Sequence, residues 1–341
     1  MISWFWRMLG LLLLAAVLLA AASAWWVWRP LPLNTATVDI SIEPGQSVKT
    51  IASNAVQSGV DVSPAMLYYF FKLSGQSRQI RAGSYEITPG LSAYALLTKL
   101  VRGEENLKYI TLVEGWSWRQ VRQSLDKSAF LKHDSASLSD EEIMSHLGKA
   151  GVAAEGRFFP DTYNFGKGSS DLNVLRRAAR AMDKHLEAAW AKRDMGLPLK
   201  TPDEALTLAS IVEKETGLTS DRSMIASVFH NRLRIQMPLQ TDPTVIYGLG
   251  ASFDGNLRRA DLQTDHPWNT YVHRGLPPTP IAMPGLAALQ ATLHPATSRA
   301  LYFVSRGDGS SQFSDNLQDH NAAVDRYQRA PASSAANGKA Q

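Results

Sequence analysis

The chain opens on an unbroken apolar run. From Met8 to Trp28 no residue is charged, and Leu, Ala and Val fill most positions. Trp4 and Trp6 stand at the near end, and Trp25, Trp26 and Trp28 at the far end. A helix of this length reaches about 30 Å, the thickness of a bilayer's hydrocarbon core. Tryptophan at both ends suits the two membrane interfaces. The pattern predicts a membrane-crossing anchor over 8–28, with residues 1–7 as a short cytoplasmic leader. A cleaved signal peptide is the alternative, since Ala22-Ser23-Ala24 has the small residues of a cleavage site. Either reading places the rest of the chain outside the cytoplasm.

Past a Pro-containing linker over 29–38, the rhythm becomes that of a folded domain. Val38-Asp39-Ile40-Ser41-Ile42 alternates as a strand does, Pro44-Gly45 turns the chain, and Ser47 to Ala52 opens a short helix. A second helix covers Pro64 to Leu73. Gly83 to Ile87 is a second strand, Pro89-Gly90 a second turn, and Ser92 caps a helix that runs to Arg102. Strand, Pro-Gly turn and short helix thus occur twice, which delimits a small module over 39–104. It resembles a LysM-like glycan-binding fold; a spacer with no ligand is the alternative.

The remainder, 105–329, reads as one larger domain. Tyr109 to Val113 is a strand, 117–150 is helical around a polar loop, and 172–193 is a long amphipathic helix. Another helix runs from Asp203 to Thr216, with Thr201 as N-cap, Pro202 at its first position and Gly217 near its C-cap. Arg222 to Leu233 is helical. From Gln240 the chain turns polar and Gly/Pro-rich, and Gln240 to Gly248 reads as an irregular run. Leu301 to Val304 is a late strand, and a helix over Asp319–Arg329 closes the domain. The tail, 330–341, has the composition of a disordered segment. Strands and helices are segregated rather than alternating, so the fold class is α+β.

Composition narrows the chemistry. The 341 residues include no cysteine, which excludes a disulfide framework, a zinc–cysteine site and a catalytic thiol. A net charge of +4 permits an anionic partner without requiring one. No P-loop, Gly-x-Ser-x-Gly elbow or His-Glu-x-x-His is present, His266 and His273 have poor metal spacing, and basic residues form no nucleic-acid patch. Carboxylates remain. On a helix, Leu208, Ile211, Val212 and Glu215 share one face, and Glu213 points elsewhere. A carboxyl among apolar neighbours has a raised pKa, as a general acid for glycosidic cleavage requires. A helix-end glutamate leaning into solvent would give the same pattern. Downstream, Gln240, Thr241, Asp242, Tyr247, Asn269 and Tyr271 alternate amides, hydroxyls and rings, the mixture that sugar sites use. These residues are the candidates to converge on Glu215.

Glu155-Gly156-Arg157-Phe158-Phe159-Pro160-Asp161-Thr162-Tyr163, Ala209 to Thr216 and Ser227 to Leu233 carry a resemblance. Gln240 to Gly248, Asn269-Thr270-Tyr271, Gly275 to Pro278 and Leu301 to Val304 extend it. Together they resemble the MltG/YceG-like family of endolytic murein transglycosylases, from the anchor to about Arg329. His230 departs from the pattern, where an apolar residue is more usual. The resemblance implies a single-pass inner-membrane anchor, a LysM-like subdomain and a periplasmic catalytic domain. It also implies that Glu215, the second acid of Glu-Lys-Glu, is the catalyst. The implied reaction cuts the β-1,4 bond between N-acetylmuramic acid and N-acetylglucosamine within a strand. No water is added, a 1,6-anhydro end is left, and no metal or organic cofactor is required. Peptidoglycan strands, the inner membrane and peptidoglycan synthases are the implied partners; nucleic acid is not. Two rivals stay open: a hydrolytic muramidase with Asp242 as second carboxylate, and a non-catalytic peptidoglycan-binding protein.

Overall fold

A computed structural model describes residues 2–43, 45–215 and 218–329. Pro44 of the first turn, Gly217 as a helix C-cap and the tail from Ala330 lie outside these residues. The chain divides into two compact units. The first holds residues 1–109 together with 129–132 and 164–169; the second holds 110–128, 133–163 and the chain from 170 onward.

The first unit begins with α1 (Ile2–Trp28), longer at its start than the uncharged run alone predicts. Arg7 does not interrupt it, because nothing in the Trp-rich leader breaks a helix. Residues Trp6–Trp28 are long and apolar enough to cross a membrane; the helix is exposed as far as Trp25, and its last turn packs on the first unit through Trp26 and Val27. Then come β1 (Val38–Ile42), α2 (Val48–Gln57), α3 (Pro64–Leu73), β2 (Gly83–Ile87) and α4 (Ala93–Arg102). β1 and β2 pair antiparallel, with Ile40 opposite Tyr85 and Val38 opposite Ile87. Alternation puts Val38, Ile40 and Ile42 inside, where they meet Leu67 and Phe71 of α3 and the Leu96, Leu97 and Leu100 face of α4. Ser47 and Ser92 cap α2 and α4 by accepting from the amides of Thr50 and Ala95. Each such cap is worth about 1 kcal/mol.

The strands β3 (Leu107–Thr111) and β4 (Thr162–Gly166) fall where the chain passes between the units. The expected helical stretch over 117–150 is two short helices, α5 (Trp118–Asp126) and α6 (Asp140–His146), each opened by a serine capping box. The second unit continues with α7 (Asp171–Ala191), α8 (Pro202–Glu215), α9 (Thr219–Arg234), α10 (Asp242–Leu249), α11 (Arg259–Gln263) and α12 (Leu286–Leu293). A hairpin of β5 (Tyr302–Ser305) and β6 (Ser311–Ser314) and the helix α13 (Leu317–Val324) complete it. The last turn, Asp325–Arg329, is a π-helix rather than a continuation of α13.

Helix α8 is the centre of this unit, with α7, α9, α10 and α12 packed around it. Every residue from Ala205 to Val212 is buried, so α8 has no solvent face over that span. The expected single apolar stripe through Leu208, Ile211 and Val212 is therefore only part of what is covered. Its two interior hydroxyls are satisfied within the fold. Thr207 donates to the Asp203 carbonyl at 2.9 Å, and Ser210 donates to the Thr207 carbonyl at 2.7 Å while accepting from the Ile281 amide at 3.0 Å. Left unpaired, each would cost about 1–3 kcal/mol. His230, on α9, is fully buried with Nε2 2.8 Å from the Thr292 carbonyl. Burial lowers its pKa to about 4, so it stays neutral.

Candidate active site

Glu215 is the last described residue of α8, where the buried helix reaches a cavity of about 440 Å³. Arg232 of α9, Gln240, Asp242 of α10 and Tyr271 share its walls, with Tyr302 and His320 from the hairpin and α13. The Thr241 hydroxyl donates to Oε1 of Glu215. Burial raises the Glu215 pKa to about 7; the Thr241 bond opposes the rise, the charge of Asp242 adds to it, and Arg232 opposes it. At neutral pH this carboxyl exists in both protonation states, as a group that must first give a proton and then take one requires.

Local geometry explains how the other walls are held. Gln240 adopts φ 49°, a left-handed conformation uncommon for a residue with a side chain. That turn brings two successive amides to one residue: Gln240 donates to the Thr270 carbonyl at 3.1 Å, and Thr241 donates to the Thr270 hydroxyl at 3.1 Å. Thr241 is then the N-cap of α10, with Asp242 and Pro243 in its first turn. The Gln240–Gly248 segment is thus helical over most of its length, where an irregular run was expected. Pro in the first turn does not oppose a helix, because an amide there has no intrahelical partner.

Asn269, Thr270 and Tyr271 divide their work. Asn269 is fully buried, and its side-chain NH₂ donates to the carbonyls of Thr264 (2.7 Å) and Leu262 (3.1 Å). Its Oδ1 accepts from the Tyr271 amide at 2.9 Å. Asn269 therefore shapes the loop rather than facing the cavity. Thr270 clips the Gln240–Thr241 backbone, and the Tyr271 hydroxyl donates to Asp242 Oδ1 at 2.6 Å. Arg232 is held by backbone: Nε donates to the Leu301 carbonyl and Nη1 to that of Leu239, both at 2.7 Å.

Tyr247 lies elsewhere. It lines a second cavity, of about 460 Å³, with Trp118, Glu155 and Trp268. Its hydroxyl hydrogen-bonds to Glu155, a buried carboxylate that also receives the Trp118 amide at 3.0 Å. Burial raises the Glu155 pKa to about 7, against the opposing bonds from Trp118 and Tyr247. Glu213 is on a third side. It accepts from the Gly285 amide at 2.8 Å and lies 3.6 Å from Arg222, both carboxylate and guanidinium being buried. A Cβ on Gly285, the N-cap of α12, would sit 1.9 Å from Glu114 Oε1, so a larger residue there would require the Glu114 side chain to move. Burial raises the Glu213 pKa, and Glu114 adds to the rise.

Set beside known proteins, the chain is matched by the YceG-like family model over residues 40–326. It belongs to the YceG-like family. An endolytic murein transglycosylase of Bacillus subtilis (strain 168) is 34% identical over 309 residues, 85% of each chain. Another, of Streptococcus pneumoniae serotype 2, is 29% identical over 326 residues, covering 84% of this chain and 58% of its own. The crystal structure of a YceG-like protein from Listeria monocytogenes covers 84% of this chain and 98% of its own, with a TM-score of 0.51 and 26% identity.

In this YceG-like chain, then, Glu215, Gln240, Thr241, Asp242 and Tyr271 come together, while Tyr247 and Asn269 do not line the same cavity. Arg232, Tyr302 and His320 join it without having been singled out from sequence. Arg232 and Tyr302 lie in runs that carry the resemblance, which gave neither a role, and His320 is brought in by α13 from more than a hundred residues beyond Glu215, where no local signal marks it. Among the described residues, no group of three or more His, Asp or Glu side chains is placed to hold a metal ion.

Proposed function

We propose that this chain is a membrane-anchored endolytic murein transglycosylase, with Glu215 as its single acid and base. The observation that carries the reading is the Glu215 carboxyl, raised to a pKa of about 7 at the wall of an open cavity. It fits the activity for which relatives that cover most of the chain are named. Protonated Glu215 gives its proton to the glycosidic oxygen as the bond from C1 of N-acetylmuramic acid breaks. The carboxylate then takes the proton of that sugar's own C6 hydroxyl, whose oxygen closes on C1 as a 1,6-anhydro ring. The proton balance returns Glu215 to its starting state. A nucleophile within the substrate needs no second carboxylate to activate water, and its proximity replaces a bimolecular encounter. Arg232 and the hydroxyls of Thr241 and Tyr271 supply fixed polar groups around the developing charge.

In the same reading α1 crosses the inner membrane once, with the catalytic unit in the periplasm. The length and apolarity of Trp6–Trp28, and its exposure as far as Trp25, support it. The strand–helix–helix–strand order over Val38–Ile87, with its two strands paired antiparallel, supports a LysM-like glycan-binding role for the first unit. A chain so placed works on strands leaving membrane-bound synthases. Asp242 gives the hydrolytic alternative a specific footing, because it lines the Glu215 cavity. Digestion of purified sacculi followed by mass spectrometry of the sugar ends separates the cases. Anhydro-muramyl ends are expected; new reducing ends would support the hydrolase, and no new ends a binding protein.

A further inference from the structure

Helix α3 is apolar on two sides. Its ten residues carry one charge, Lys72. Leu67 and Phe71 are fully buried in the first unit. Met66, Tyr69 and Leu73 are exposed, to 45%, 57% and 82%. At 100° per residue these three lie on one arc, shared with Phe70 and turned away from Leu67 and Phe71. A surface helix normally turns polar residues outward, so a second apolar face calls for a partner.

The neighbouring contacts say which. Phe70 meets the Trp26 ring edge-on at 6.2 Å between centroids. Trp26 and Leu31 are buried in the core of the first unit, and Val27 packs against it, so the last turn of α1 is part of that core. The Trp28 ring stacks on Tyr94 of α4 at 4.5 Å. The exposed row is therefore fixed beside the tryptophan-rich end of α1. Cations stand among the same rings: the Arg29 guanidinium lies 4.8 Å over Trp25, and the Lys72 ammonium 5.5 Å over Tyr68. Aromatic rings with a polar edge, aliphatic side chains and flanking cations are the composition of a surface that rests in the headgroup layer of a bilayer.

We propose that the Met66–Tyr69–Leu73 face of α3 inserts shallowly into the periplasmic surface of the membrane that α1 crosses. The inference rests on α1 being a membrane anchor. It assigns the first unit a lipid contact separate from any glycan contact. Together α1 and α3 hold that unit at two points, which restricts its tilt on the membrane.

The absence of cysteine makes the test direct. Met66→Cys and Leu73→Cys, each labelled with an environment-sensitive fluorophore, are reconstituted as full chains in phosphatidylethanolamine–phosphatidylglycerol vesicles. Nitroxide-bearing lipids then quench from the headgroup level, and iodide from water. Blue-shifted emission with quenching by the lipid nitroxide is expected at both positions. Adding Tyr69→Asp to the Met66→Cys chain should abolish most of that quenching. Labels quenched by iodide alone would overturn the proposal, as would labels protected from both quenchers, which would indicate a protein partner. A spectral shift that appears only on adding glycan strands would equally overturn it. Resistance to alkaline extraction reads the anchor separately. A chain that stays with the vesicles while its labels remain aqueous sinks the α3 proposal alone; a chain that washes off sinks the anchor reading.

Discussion

Two carboxyl groups in the second unit are pushed by burial to the same pKa, about 7, and their surroundings differ. Glu155 receives the backbone amide of Trp118 and the hydroxyl of Tyr247, and it caps the start of α5. Glu215 receives a threonine hydroxyl and shares its cavity with Arg232, Asp242 and Tyr271. A raised pKa therefore does not by itself identify a catalyst. One carboxyl is explained by the helix it holds. The other is offered by α8 among polar groups contributed by α9, α10 and a distant loop.

The sharpest way to break this comparison is Glu215→Gln. It should lower anhydro-end formation by about 10²–10⁴-fold, the range that general acid–base help supplies, with no fall in Tm. Glu213→Gln is the matched control on the same helix. Its amide oxygen can still accept from Gly285, but Arg222 loses its anionic neighbour. We expect a stability loss of about 1–3 kcal/mol and less than a tenfold loss of activity once folded. A dead Glu213→Gln enzyme with normal Tm, beside an active Glu215→Gln enzyme, would reverse the assignment.

Stability against pH tests the Glu155 side. Its folded pKa is raised above the ordinary carboxylate value, so the folded state binds the proton more tightly than the unfolded chain. The resulting stabilisation is fully present below about pH 4.5 and is lost as pH rises through about 7. At about 1.4 kcal/mol per pKa unit the loss is on the order of 3 kcal/mol. Glu155→Gln should flatten denaturant-measured stability between pH 5 and 8 by about that amount while retaining most transglycosylase activity. An unflattened slope would remove the burial account, and a dead but folded variant would make Glu155 part of the chemistry.

A smaller effect sharpens the Glu215 side. Asp242 raises the Glu215 pKa and the Thr241 hydroxyl lowers it. The alkaline limb of the activity profile, where the acid form is lost, should therefore move down in Asp242→Asn and up in Thr241→Val. Shifts in the same direction would mean that the limb belongs to another group.

How far the sequence disclosed this arrangement depends on the range of the interactions. Ser47, Ser92 and Thr201 act as caps where their positions suggest, and α3 has the expected bounds, because caps and helical faces are set within a turn or two. The mixed α+β class was legible for the same reason. The β6 strand was missed, since Ser311–Ser314 has little strand character until it pairs with β5. In α8 the apolar stripe was visible, but burial on all sides depends on α7, α9, α10 and α12. Tyr247 and Asn269 carry side chains suited to a sugar site. Glu155, and the carbonyls of residues 262 and 264, claim those side chains through contacts that no local pattern announces.

The central claim is that Glu215 moves one proton out and one back, with the substrate's own hydroxyl as nucleophile. Digestion of sacculi by the wild-type chain in water enriched in ¹⁸O tests it most directly, with the muramyl ends read by mass spectrometry. The account predicts 1,6-anhydro ends that carry no ¹⁸O. Reducing ends with one ¹⁸O at C1 would contradict it and make Asp242 the base that activates water.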